Sequence, residues 1–311
     1  MNEYRDKLIL SVPDDYALKE TLAETNEFFT TIILKKILLP KFNINDPITI
    51  AVIPTWSINP LIVKSGDGSL VIVYDHILMV ASQIYCRALV ICARLAIKAK
   101  SETGSVYMLK MYSVLISLFA DKKNMARNLS EVGRIEESMG IKETFNSDDM
   151  LLFTGCCMTL EYFTVAHELL HIEDARFDHS MFQPVKLQGQ EAHAYRYSPE
   201  ILHAVDSACI DWFAANQNTG GMSVGLNEEL SMSNALNFFT LLALLEKNAA
   251  FDTALPRFES SLNRLNALKR NGQNMFAREI MDSIEQTLEL TGSLPDTTYL
   301  DFMNAAYSVL F

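Results

Sequence analysis

The sequence predicts a mainly α protein with a small β-sheet, an α+β chain. Two observations carry this. β-branched and apolar residues gather in one short region, 48–74, and the pattern after Asp75 is helical. An apolar share of 49% over 311 residues is enough to bury a sizeable core.

Taken in order, residues 14–39 are expected as a helix, with Asp14 and Asp15 near its start and Pro40 after its end. Three short strands follow at 48–54, 61–64 and 69–74, the last two joined by the turn Ser65-Gly66-Asp67-Gly68. Helices are expected at 76–98, 105–120 and 125–139. A longer one starts from Ser147 or Asp148 as N-cap and runs to about Asp174. Its first half is nearly all apolar, so it is expected to be buried on most sides. Residues 175–197, with Pro184 and Gly189, read as a loop. Ser198-Pro199-Glu200 has the cap, proline and early acid of a helix start, and that helix should reach about Asn216. Further helices are expected at 227–250, 254–270, 273–291 and 297–309.

Neither a repeat nor a linker divides the chain, which reads as one domain over 1–311. Within it, 1–145 hold N-terminal helices and the sheet, 146–217 two candidate metal-site helices, and 218–311 C-terminal helices.

Composition narrows the function classes. A net charge of -12 disfavours nucleic acid and anionic lipid as general partners. Five cysteines, an odd number without a CxxC, read as free buried thiols in a reducing compartment. The N-terminus has no secretory pattern, and the apolar stretches 150–160 and 235–245 are too short or too polar to span a bilayer. The expectation is a soluble, cytoplasmic chain of open oligomeric state.

One motif carries chemistry: His167-Glu168-Leu169-Leu170-His171, an HExxH run. On a helix, residues four apart share a face, so His167 and His171 can bind one metal ion. Zinc lowers the pKa of a bound water to about 7, and Glu168 is placed to take its proton as general base. A catalytic zinc keeps three protein ligands and one open position. The extended pattern HExxHxxGxxH is absent, so the third ligand must lie elsewhere. The helix from Pro199 offers Glu200, His203, Asp206 and Asp211. His203 is central to its polar stripe and is the first choice, with Asp206 orienting an imidazole from behind. Asp206 as direct ligand and Glu200 stay open. In the preceding loop, His193, Tyr195 and Tyr197 are candidate donors to a developing oxyanion. The alternative for each of these residues is ordinary packing or a solvated face.

The combination resembles the zincin metallopeptidases of the gluzincin type, in which HExxH is followed by a second helix reading roughly ExxxD. It is similar in particular to the bacterial phage-exclusion peptidase family, whose known member cleaves a translation elongation factor. The likeness covers about a third of the chain: the stretch from Gly66 to Ala96, the helix ending in AHELLH, and the run from Val205 to Phe213. It implies a zincin-like fold with a helical C-terminal bundle, a Zn2+ cofactor, a protein or peptide substrate and a part in phage defence. It also implies a sheet edge, here 69–74, that pairs with extended substrate. One departure stands out. The family's glutamate ligand lies four residues before the aspartate, and if Asp206 is that aspartate the matching position is Leu202, which binds no metal.

Two other classes compete. Glu168-x-x-His171 and Glu200-x-x-His203 both fit the ExxH signature of di-iron carboxylate bundles, but 172–199 do not read as the additional helix such a bundle needs. A non-catalytic, metal-stabilised helical binding protein is the other; it would have no use for Glu168.

Overall fold

The computed structural model describes residues 3–97, 101–141, 145 and 147–216, together with 242, 245, 246 and 264. It is mainly helical with one small mixed sheet, an α+β structure. The helices expected at 227–250, 254–270, 273–291 and 297–309 lie outside the described residues, apart from those four positions.

The described residues fall into two compact units, 3–80 with 161–216, and 81–160 with the four isolated positions. No linker separates them. Helix α3 (His76–Ile97) and helix α6 (Ser147–Glu173) each begin in one unit and end in the other, so composition does not break where the units divide.

The first unit opens with α1 (Glu3–Leu10), which the sequence pattern did not reveal, and α2 (Lys19–Glu27). The helix expected from residue 14 starts later. Before Lys19 the chain turns on itself through Tyr16 N to Pro13 O, and the Lys19 ammonium donates to Val12 O and to the Asp14 carboxylate. After α2 the helix widens over Phe28–Leu38, and Leu39 N donates to Leu34 O, five residues back. Buried residues here come in pairs: Phe29 and Thr30, Ile33 and Leu34, Ile37 and Leu38. That spacing of four exceeds the 3.6-residue α-helical period, and a wider turn keeps the pairs on one face.

The sheet has five strands in the order β1-β3-β2-β5-β4. β1 (Ile48–Ile53), β2 (Leu61–Lys64) and β3 (Leu70–Asp75) match the three expected strands. β1 pairs with β3 in parallel and β2 with β3 in antiparallel, placing β3 inside the sheet. The expectation that 69–74 form the edge is therefore overturned. All six residues of β3 are buried, and its unbroken run Leu70-Val71-Ile72-Val73-Tyr74 has the composition of a central strand.

The region expected as loop, 175–197, is also corrected. It forms a second hairpin, β4 (Phe182–Leu187) and β5 (Gln190–Tyr195), which joins β2 through Val63 opposite Ala194 and Lys64 opposite His193. Gln188 and Gly189 turn it with φ of 49° and 76°, the left-handed values of a two-residue hairpin loop.

One sheet face carries Ala51, Ile53, Leu61, Val63, Val71, Val73, Ala192 and Ala194 against Leu8, Val12 and Leu22. Ile50, Val52, Ile72 and Tyr74 alternate to the other face and are also buried, with Phe29 tilted against Tyr74 at 5.4 Å. The outer edge of β1 is sealed by side chains. Asn26 takes Val52 N on Oδ1 and gives Nδ2 to Val52 O, both at 2.8 Å, and Arg5 Nε donates to Ile50 O at 2.7 Å. The opposite edge, β4, carries Pro184, which lacks an N–H. Met181 O accepts from Arg196 N, and this register turns Pro184's backbone nitrogen outward.

The second unit is helical: the later part of α3, α4 (Ser101–Ala120), α5 (Met125–Ser138) and the first half of α6. Its core gathers Ala88, Ile91, Tyr107, Met111 and Ile135, among others, beside a clamp in which Arg87 grips both oxygens of Glu136. All five cysteines are buried as thiols. Among the described residues one helix, His76–Leu95, is long and apolar enough to cross a membrane, and 78% of its most apolar stretch is buried within the protein.

Candidate metal centre

The HExxH run lies in the last two turns of α6, and α7 (Pro199–Asn216) packs against it. Phe163 meets Phe213 edge to face at 5.8 Å, and Cys209 Sγ approaches Phe163 O, which fixes the two helices side by side. Trp212 stacks on Phe42 at 4.7 Å, and Glu173 accepts from Asn43 N, tying the far ends of both helices to the segment before β1.

Between α6 and α7 four polar side chains meet. His167, Glu168, His171 and Asp206 are 6%, 2%, 1% and 0% exposed. The His167 ring faces Asp206 Oδ1 through Nε2 at 2.7 Å and Glu168 Oε1 through Nδ1 at 3.0 Å. It lies edge to face with the His171 ring, centroids 4.7 Å apart. Tyr197, in the link between β5 and α7, donates its hydroxyl to Glu168 Oε2 at 2.5 Å and lays its ring against His171 at 4.1 Å.

The electrostatics follow from that pairing. Burial pushes the His167 pKa down, but hydrogen bonds and charge from Asp206 and Glu168 outweigh it and hold the pKa above the ordinary histidine value. Each ring nitrogen faces a carboxylate oxygen, an arrangement that favours the protonated ring.

The sequence-predicted residues separate clearly. His167, Glu168, His171 and Asp206 come together, although Asp206 is 39 residues away in the chain. His203, the first choice for third ligand, is half-buried one turn before Asp206. Glu200 is exposed at the start of α7, and Leu202 is buried in the apolar interior. Of the three candidate donors, His193 is exposed on β5, and the Tyr195 hydroxyl accepts from Asp178 N at 3.3 Å, away from the four-residue cluster. Only Tyr197 enters the site.

The donor set suits a borderline cation such as zinc: two imidazoles and a buried carboxylate, with a second carboxylate alongside. Among the described residues, however, no three His, Cys, Asp or Glu side chains stand arranged to hold a metal ion. The residues fit zinc in kind, and binding it would require the His167 proton to leave. The chain matches no family model, no curated protein and no solved structure.

Proposed function

We propose that the chain is a zinc-dependent endopeptidase of zincin-like fold, with His167, His171 and Asp206 as metal ligands and Glu168 as general base. The supporting observation is the convergence of these four side chains, all more than nine-tenths buried, from α6 and α7. Asp206 replaces His203 as the favoured third ligand, because its carboxylate shares the space next to Nε2 of His167. His203 remains the alternative.

Bound zinc would supply Lewis-acid polarisation of the scissile carbonyl and an acidified water. Glu168 takes a proton from the attacking water on a carboxylate oxygen and passes it to the leaving amine. Of the three candidate oxyanion donors, Tyr197 is the one whose hydroxyl reaches the cluster, where it donates to Glu168. The four polar side chains are buried, and there each charge acts more strongly than in water. An intracellular protein substrate and a part in phage defence rest on the resemblance of 66–96, AHELLH and the run 205–213.

A second reading is a non-catalytic helical protein, and the mutual pairing of the site's polar groups favours it. The di-iron reading is weakened, because hairpin β4–β5 fills the stretch where another ligand-bearing helix would be needed. Metal analysis together with peptide-library cleavage, read by mass spectrometry, separates the readings. We expect one zinc per chain in wild type, loss of zinc in His167→Ala, and zinc retained without cleavage in Glu168→Gln. Wild type without zinc, or Glu168→Gln cleaving as wild type does, removes the peptidase reading.

A further inference from the structure

Glu168 is fully engaged within the protein: Oε1 faces His167 Nδ1, and Oε2 takes the Tyr197 hydroxyl. A general base needs a free oxygen within hydrogen-bond reach of the proton it abstracts. The neighbouring imidazoles are also covered, His171 by the Tyr197 ring. In this arrangement a peptide backbone cannot reach the four-residue cluster.

The group that closes it sits at a joint. Tyr197 belongs to neither β5 nor α7; it lies in the three-residue link between them. Arg196 N holds the start of that link to Met181 O, and Ser198 Oγ accepts from Ile201 N at its end. The Tyr197 ring meets Tyr195 at 5.1 Å, and Tyr195 stacks on Phe177 at 4.5 Å and meets Phe182 of β4 at 5.3 Å. Phe177 and Phe182 are only half-buried. A string of touching rings therefore runs from the outer strand of the sheet to the carboxylate of Glu168.

We propose that Tyr197 is a latch on the site, holding Glu168 and covering His171 in a closed state, and that displacement of the Phe182–Tyr195 rings releases it. The proposal rests on the zinc reading above. It makes Tyr197 a regulatory residue whose hydroxyl must leave Glu168 before substrate enters, and it places the trigger on the exposed hairpin.

The test is the rate at which zinc-loaded protein loses its metal to an excess of coloured chelator. A hydrogen bond to a charged group is worth enough to slow opening about tenfold. Tyr197→Phe keeps the ring and loses the hydroxyl, so it should hold one zinc and release it about tenfold faster. Phe182→Ala, which loosens Tyr195 without touching the site, should also speed release and serves if Tyr197→Phe does not fold. Release within about twofold of wild type in a folded, zinc-loaded variant overturns the latch and leaves the zinc reading standing. Wild type that binds no zinc overturns both.

Discussion

His167 and Asp206 lie 39 residues apart in the chain, and their Nε2 and Oδ1 atoms lie 2.7 Å apart. That contact joins the end of α6 to the middle of α7, and on the proposed zinc reading it makes Asp206 the third ligand. It predicts a ranking. Asp206→Ala should weaken zinc binding by about 100-fold or more, and His203→Ala by less than about tenfold. Competition titration against a chelator of known affinity measures both, and the reverse ranking restores His203 as third ligand.

The same contact sets a pH dependence. Asp206 and Glu168 raise the pKa of His167 against the opposing effect of burial. Zinc must displace the ring proton, so affinity should fall as pH drops and the ring protonates. Zinc uptake in weakly buffered solution at pH 6 should release at least about one proton per ion, read with an indicator dye. Uptake without proton release would mean His167 stays outside the coordination shell.

Asn26 stands in for a missing strand. It pairs with both backbone groups of Val52, and its Nδ2 also donates to Leu22 O at 2.9 Å. Replacing it with Leu leaves a buried N–H and C=O without matches, at about 1–3 kcal/mol each. Urea unfolding of Asn26→Leu should show a loss of about 2–5 kcal/mol. A loss below about 1 kcal/mol would mean that the edge is satisfied in another way.

His76 opens α3 with Nδ1 2.8 Å from the Tyr16 hydroxyl, and it is 1% exposed. Burial lowers its pKa to about 4. The unfolded chain therefore takes up the proton first, near pH 6.5. The stability tied to neutral His76 is complete above that pH and lost as pH falls towards 4. Between pH 7 and 4 wild type should lose about 2–3 kcal/mol more than His76→Leu, measured by denaturant unfolding at each pH. Parallel pH curves for the two proteins would contradict this.

How much of this was legible differed by element. The first three strands showed because Ile, Val and Leu crowd 48–74 around a Ser-Gly-Asp-Gly turn. Both site helices showed through Ser147 and Ser198-Pro199, and HExxH named three of the four clustered residues. The hairpin β4–β5 did not show. Its buried face on β5 is Ala192 and Ala194, too small to mark a period of two, and Pro184 argued against a strand. The order of β3 and β2 was hidden because it depends on long-range pairing, although the unbroken apolar run of β3 was a usable sign. Asp206 was a candidate, but spacing alone could not rank it above His203. That ranking depends on how α7 rotates against α6, which Phe163, Cys209 and Phe213 set in three dimensions.

The hairpin between the two site helices has ends of opposite character. At its tip Gln188 donates its amide to Pro54 O, while Gly189 beside it is exposed with open space around it, so a short peptide tag should be tolerated after Gly189. At its root the alternation of a strand leads directly into Tyr197. One residue inserted between Ala194 and Tyr197 would shift the side-chain alternation at the root and turn the hydroxyl away from Glu168. The segment that reads in the sequence as a loop is thus a ruler, and its length near α7 is fixed by a contact with a different helix.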